Sequence, residues 1–212
     1  MAYNLEEQEQ LENLKAFWDR YGNFIVTLVA IVALSIAGWR GWGWYQERQS
    51  VQAATVYEAL REAASERNID GVRASAGKLF DEYGKTAYGP MAALVAAGAY
   101  VQAGDAKAAK IPLQWAIDNA GDENFRNTAR LRLASILLDE GAYDEGLKAL
   151  DVPTPGAYLG MFEDRRGDLL SAAGRRDEAR AAYDRALAAL STNATLRGLV
   201  QLKRDALGGA PA

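Results

Sequence analysis

The 212-residue chain contains no cysteine and no histidine. The first absence excludes disulfides, thiol nucleophiles and thiolate zinc sites; the second excludes imidazole-based triads and metal sites. A carboxylate-only metal or acid/base site is left open by composition, though no motif supports one. Proline is scarce, at five residues, and β-branched runs are rare outside one apolar stretch, so the remainder reads as helix. No basic patch is present and the net charge is −4, which argues against nucleic-acid binding. That charge is uneven. Residues 1–23 hold five acids (Glu6, Glu7, Glu9, Glu12, Asp19) against Lys15 and Arg20.

The one long apolar run is Phe24 to Trp39, sixteen residues without a charge, whose only polar groups are Thr27 and Ser35. As helix it measures about 24 Å, and continuing to Tyr45 brings it to about 33 Å, enough to cross a hydrocarbon core of about 30 Å. Four of the five tryptophans border it. Trp18 and Tyr21 lie before the run, and Trp39, Trp42, Trp44 and Tyr45 after it, as two interfacial belts require. Arg40 sits where its stem can snorkel to the headgroups. The rival reading is a cleaved signal peptide, with Ser35-Ile36-Ala37 as the small-residue site. The acidic residues before the run and the aromatics after it favour a retained anchor.

Within the span, Ala33, Ala37 and Gly41 recur every four residues and would let another helix approach closely. In the tail, Leu11, Leu14, Trp18 and Tyr21 share one face of an amphipathic helix, which Gly22-Asn23 is expected to end. Lys and Arg nearly tie across the span (Lys15 and Arg20 against Arg40 and Arg48), so the charge rule alone does not orient it. The domain reading is therefore an acidic tail over 1–23, a transmembrane helix over 24–45 and a helical domain over 46–212.

Beyond the span, Val51, Ala54, Tyr57, Ala59 and Leu60 are the expected buried positions of a continuing helix. Asn68 to Gly71 reads as a turn, Val72 to Tyr83 as a helix, and Gly84 and Gly89-Pro90 as breaks. Then a period emerges. Gly104, Gly141 and Gly174 lie 37 and 33 residues apart, each between two apolar helical patterns. Small residues precede each by seven (Ala97, Ala134, Gly167) and follow by five (Ala109, Gly146, Ala179). Leu113, Leu150 and Tyr183 follow by nine, and Ala116, Pro153 and Ala186 by twelve. This pattern resembles the tetratricopeptide repeat, a helical hairpin of about 34 residues. Tyr158 to Leu190 fits best. Val152-Pro153-Thr154-Pro155 shortens the second copy, and Pro112 fits the first if its second helix begins late. A degenerate hairpin over Val51 to Tyr83 precedes them. Thr192 to Ala206 reads as a capping helix, and Gly208 to Ala212 as a frayed end.

The tail NLEEQEQLENLKAFWDRYGN, the single span and the degenerate repeats together resemble the YfgM-like family of ancillary SecYEG translocon subunits. The resemblance covers essentially the whole chain and is most specific over Tyr3 to Tyr45. It implies a bacterial inner-membrane protein, single-pass, with a cytoplasmic N-terminus and periplasmic repeats. Its implied partners are the SecYEG translocon, the membrane-anchored periplasmic chaperone PpiD, exported polypeptides and periplasmic chaperones. It implies no catalytic residues and no cofactor.

Stacked hairpins line a concave surface mainly with their first helices. Met91, Leu94, Leu131, Ser135, Asp139, Met161, Asp164 and Asp168 are the candidates for that partner surface, the methionines suiting promiscuous apolar contact. The expectation is an all-α, non-enzymatic scaffold. The alternative is a membrane-bound regulator that sequesters a cytoplasmic signalling protein. An enzyme built on Asp139 and Glu140 is a poor third, because adjacent helix residues do not face each other.

Overall fold

The computed structural model describes residues 5–153, 156–190 and 194–208, with side chains from residue 9. Glu6, Glu7, Thr154, Pro155, Thr192 and residues 209–212 lie outside the described side chains. Every regular element among the described residues is helical. The chain divides into two units, residues 1–49 and 50–212. Helix α1 (Leu5–Ser65) supplies the first and opens the second.

In the first unit α1 is unbroken, so Gly22-Asn23 does not end it. A helical glycine costs only about 1 kcal/mol relative to alanine, and Gly22 serves a purpose: a Cβ there would sit 3.1 Å from the Trp18 indole, which folds over it. The two polar groups of the apolar run are satisfied within the helix. Thr27 Oγ1 donates to the Asn23 carbonyl (2.7 Å) and Ser35 Oγ to that of Ile31 (2.8 Å), which lets both enter hydrocarbon at low cost. The helix holds a stretch long and apolar enough to cross a membrane, and almost none of that stretch is buried within the chain.

The second unit is a right-through stack of hairpins. The end of α1 pairs with α2 (Ile69–Tyr83), α3 (Tyr88–Gln102) with α4 (Ala106–Asn119), and α5 (Glu123–Asp139) with α6 (Tyr143–Ala149). After a 3-10 turn (Gly156–Tyr158), α7 (Leu159–Ala172) pairs with α8 (Arg176–Ala189), and α9 (Ala194–Ala206) closes the stack. The core is a row of three apolar clusters rich in alanine, one over α1 to α5, one joining the third and fourth hairpins, and one under α9.

The periodic glycines are the hairpin corners. Gly104, Gly141 and Gly174 have φ of 78°, 74° and 76°. Each donates to the carbonyl three residues back, while the next residue donates to the carbonyl five back, for example Asp105 to Tyr100 at 2.9 Å. This is the Schellman closure, which favours glycine because an L side chain is strained at positive φ. The same closure ends α1, but with Arg67 at φ 58°: Arg67 donates to Ala64 and Asn68 to Ala63. Arg67 is 37 residues before Gly104, so the first hairpin is in full register with the others. Replacing Arg67 with glycine should stabilise the domain by about 0.5–1 kcal/mol, the left-handed strain less glycine's unfolded entropy. A urea midpoint that falls would contradict this.

Four expectations need correction. On α1 the buried positions are Ala53, Leu60 and Ala63, with Val56 and Tyr57 packed beside them, whereas Val51 is 64% exposed and Ala59 is exposed. The face is set by where α2 and α3 dock. Asn68 to Gly71 is not a separate turn, because α2 already begins at Ile69, capped by Asn68 Oδ1 accepting from the Gly71 amide (3.0 Å). Gly89-Pro90 does not break a helix but opens α3, where first-turn amides lack partners anyway. A Cβ on Gly89 would meet Gly84 and Trp115 at 2.9 Å, so the two glycines let the α2–α3 corner close. Lastly, α4 does not begin late: it starts at Ala106 and holds Pro112 in its interior. The lost ladder bond costs about 3 kcal/mol, offset by a ring that is buried against the core.

Candidate partner-binding surfaces

The interfacial candidates are all exposed on α1: Trp18, Tyr21, Trp39, Arg40, Trp42, Trp44 and Tyr45. Trp39 is 82% exposed. Beyond the run the belt is ordered by its own contacts. Arg48 stacks over Trp44 at 5.5 Å, Gln49 donates to the Tyr45 hydroxyl at 2.9 Å, and Trp42 and Tyr45 lie 6.1 Å apart. Ala33, Ala37 and Gly41 are exposed too, and a Cβ placed on Gly41 would meet nothing within 4 Å. A helix from another protein could approach closely there.

The repeat-surface candidates do not form one site. Leu94 joins a cavity, about 470 Å³ in volume, bounded by Ala64, Ser65, Leu94, Val95, Gly98 and Arg132. Arg132 braces it by donating to the Leu94 carbonyl at 2.8 Å. Val95 and Gly98 were missed in the sequence although they lie one and four residues from Leu94; the signal was the helical face itself. Met91 and Leu131 are half-buried, and Leu131 packs into the cluster of the third and fourth hairpins. Ser135 returns its hydroxyl to the Leu131 carbonyl at 2.8 Å. Asp139 is exposed at the end of α5, and Met161 is 36% exposed beside Leu159 at 44%.

Asp164 and Asp168 are drawn into the closing helix rather than presented outward. Lys203 of α9 donates to Asp164 Oδ1 (2.8 Å) and to Asp168 Oδ2 (3.0 Å), and the Tyr183 hydroxyl donates to Asp168 Oδ1 (2.9 Å). The cap fills this end of the first-helix face. Burial, with the Lys203 hydrogen bond opposing it, raises the Asp164 carboxyl above its ordinary 3.8. Burial and the Asp168 charge likewise raise the Tyr183 hydroxyl. An acid raised in the folded state adds stability as pH falls through its folded value toward 3.8, and loses it as pH rises. Asp164→Asn should therefore gain on the wild type as pH rises from acid to neutral. Urea midpoints that stay parallel across that range would refute it.

A family model described as a tetratricopeptide repeat-like domain matches residues 15–209. A relative from Neisseria gonorrhoeae, named ancillary SecYEG translocon subunit, is 30% identical over 211 residues, covering 98% of this chain and 100% of its own. The chain belongs to this family. Relatives of the same name from Escherichia coli (28% identical; 84% of this chain, 85% of theirs) and Haemophilus influenzae (26%; 88% and 91%) match over most of their lengths. No solved structure matches the chain. The ancillary-subunit match runs through both the apolar helix and the repeats, so the two units belong to one family design rather than to a fusion of unrelated parts.

Proposed function

We propose that the protein is a non-enzymatic, membrane-anchored scaffold at the SecYEG translocon. Its apolar helix docks beside translocon subunits, and its repeats face the periplasm, where they meet exported chains, periplasmic chaperones and the membrane-anchored chaperone PpiD. The observation that carries this reading is the near full-length match to relatives named for the translocon. The physics is tethering: a repeat surface held at an exit site works at high effective concentration, so individually weak contacts suffice. The cavity beside Leu94 and the exposed Leu159 and Met161 offer the apolar surface such contacts need. The exposed Ala33, Ala37 and Gly41 row offers the span a close-packing face.

Replacing residues 24–45 with an unrelated membrane helix tests the docking role. Recovery of SecY with the affinity-purified chain should drop while membrane insertion persists. Undiminished recovery would remove the span from the docking interface.

A further inference from the structure

Just beyond its apolar run, α1 carries two arginines that the chain itself does not use. Arg40 and Arg48 are exposed, and neither makes an ion pair or a hydrogen bond among the described residues. In the repeats, by contrast, Arg126 holds Glu123 at 2.6 Å, Arg175 holds Glu178 at 2.6 Å and Arg185 holds Glu163 at 2.8 Å. Acids are scarce around the two. Glu47 is the one acid between Asp19 and Glu58, and among the described residues it pairs with neither arginine.

Arg40 and Arg48 stand four residues to either side of Trp44, so the three side chains make one row along the helix. The row is partly assembled. Arg48 leans back toward the helix N-terminus, as helical side chains do, and lies over the Trp44 ring at 5.5 Å. Arg40 follows directly on the uncharged run Phe24 to Trp39, so its guanidinium leaves hydrocarbon by reaching the other way, toward Trp44. Two cations are thereby brought to one indole at the level where lipid headgroups begin.

We propose that Arg40, Trp44 and Arg48 form a binding site for the headgroup of an anionic phospholipid. Its phosphate takes the two guanidinium groups, whose planar forks suit a phosphate, and the Trp44 ring covers the glycerol backbone. The acyl chains lie along the exposed apolar run. A zwitterionic lipid fits less well, because it brings a cation of its own to two unpaired arginines. An acidic protein segment is disfavoured too, since beside Arg40 its carboxylate would have to leave water at the edge of hydrocarbon. The site rests on the reading of α1 as a membrane span and does not depend on the translocon.

The test reconstitutes the full-length chain in phosphatidylcholine vesicles and reads quenching of tryptophan fluorescence by brominated phosphatidylglycerol or brominated phosphatidylcholine. Trp18→Phe serves as the reference chain, so that Trp39, Trp42 and Trp44 report; Trp115 is stacked on Phe80 in the repeats. Phosphatidylglycerol should be preferred by about fivefold or more, the gain from a basic residue at an anionic surface. Arg40→Gln with Arg48→Gln should abolish that preference. Moving one cation, by Arg48→Gln with Gln46→Arg, keeps the net charge but places it about 160° round the helix from the row. The preference should fall as far as in Arg48→Gln alone. Excess inorganic phosphate should leave the reference preference in place. Equal quenching by the two lipids would overturn the site while leaving the span intact. A preference that survives the relocation would reduce it to diffuse charge, and one lost to inorganic phosphate would show that no lipid is needed. Quenching by neither lipid would overturn the span and the site together.

Discussion

Phe162→Ala is expected to destabilise the repeat domain by about 3–5 kcal/mol, the range for emptying a buried aromatic site. Phe162 is 1% exposed and is among the largest fully buried side chains. It sits in α7 in one cluster with Ala134 of α5, Leu150 at the end of α6, and Leu169. Tyr158 meets it edge-on at 6.4 Å and 84°, and the Tyr158 hydroxyl reaches Thr128 Oγ1 at 3.0 Å. Because α6 is short, this cluster rather than a full pair of helices joins the third hairpin to the fourth. In a repeat stack, stability is a sum of units and their nearest-neighbour interfaces. The variant should therefore uncouple α7 to α9, and their amides should exchange before those of α3 and α4. A loss of about 1 kcal/mol or less, typical of a surface site, would contradict the packing.

Gly167→Ala is expected to cost about 2–3 kcal/mol, although alanine is ordinarily the better helix former by about 1 kcal/mol. A Cβ on Gly167 would lie 2.4 Å from Cε1 of Tyr183, well inside contact distance. The ring cannot swing away freely, since its hydroxyl is held by Asp168 at 2.9 Å. The other hairpins show the compensation at the same positions: Ala97 shares a cluster with Leu113, and Ala134 with Leu150. In the first hairpin the sizes are exchanged, Leu60 against Ala76. Tyr183→Leu should therefore absorb the added methyl, leaving Gly167→Ala nearly neutral in that background. A coupling of about 1–2 kcal/mol in the double-mutant cycle would be the signature; strict additivity would show that the two residues do not share a seam.

The hairpin corners were legible because glycine is the residue a positive φ selects, and three of four corners carry it. The fourth was hidden by Arg67, which adopts the same geometry against its preference. Helix breakers misled for a related reason. Gly22, Gly89 and Pro112 are permissive or costly locally, but Trp18, Trp115 and the core around α4 override them through packing that no local pattern records. The repeat-surface candidates were found as a face of the first helices. What could not be read was that Lys203 reaches back 39 and 35 residues to Asp164 and Asp168. The Val152-Pro153 stop was seen, but not that α6 would end at Ala149 with half the length of α4 and α8.

The most direct test of the scaffold reading is site-specific photocrosslinking in intact membranes, with probes at Ala33 and Gly41 in the span and Met161 in the repeats. The expected result is adducts of the span probes with SecYEG subunits, and of Met161 with exported chains or periplasmic chaperones. Capture of only cytoplasmic proteins by Met161, with no translocon adduct from the span, would contradict it and favour a membrane-bound regulator facing the cytoplasm.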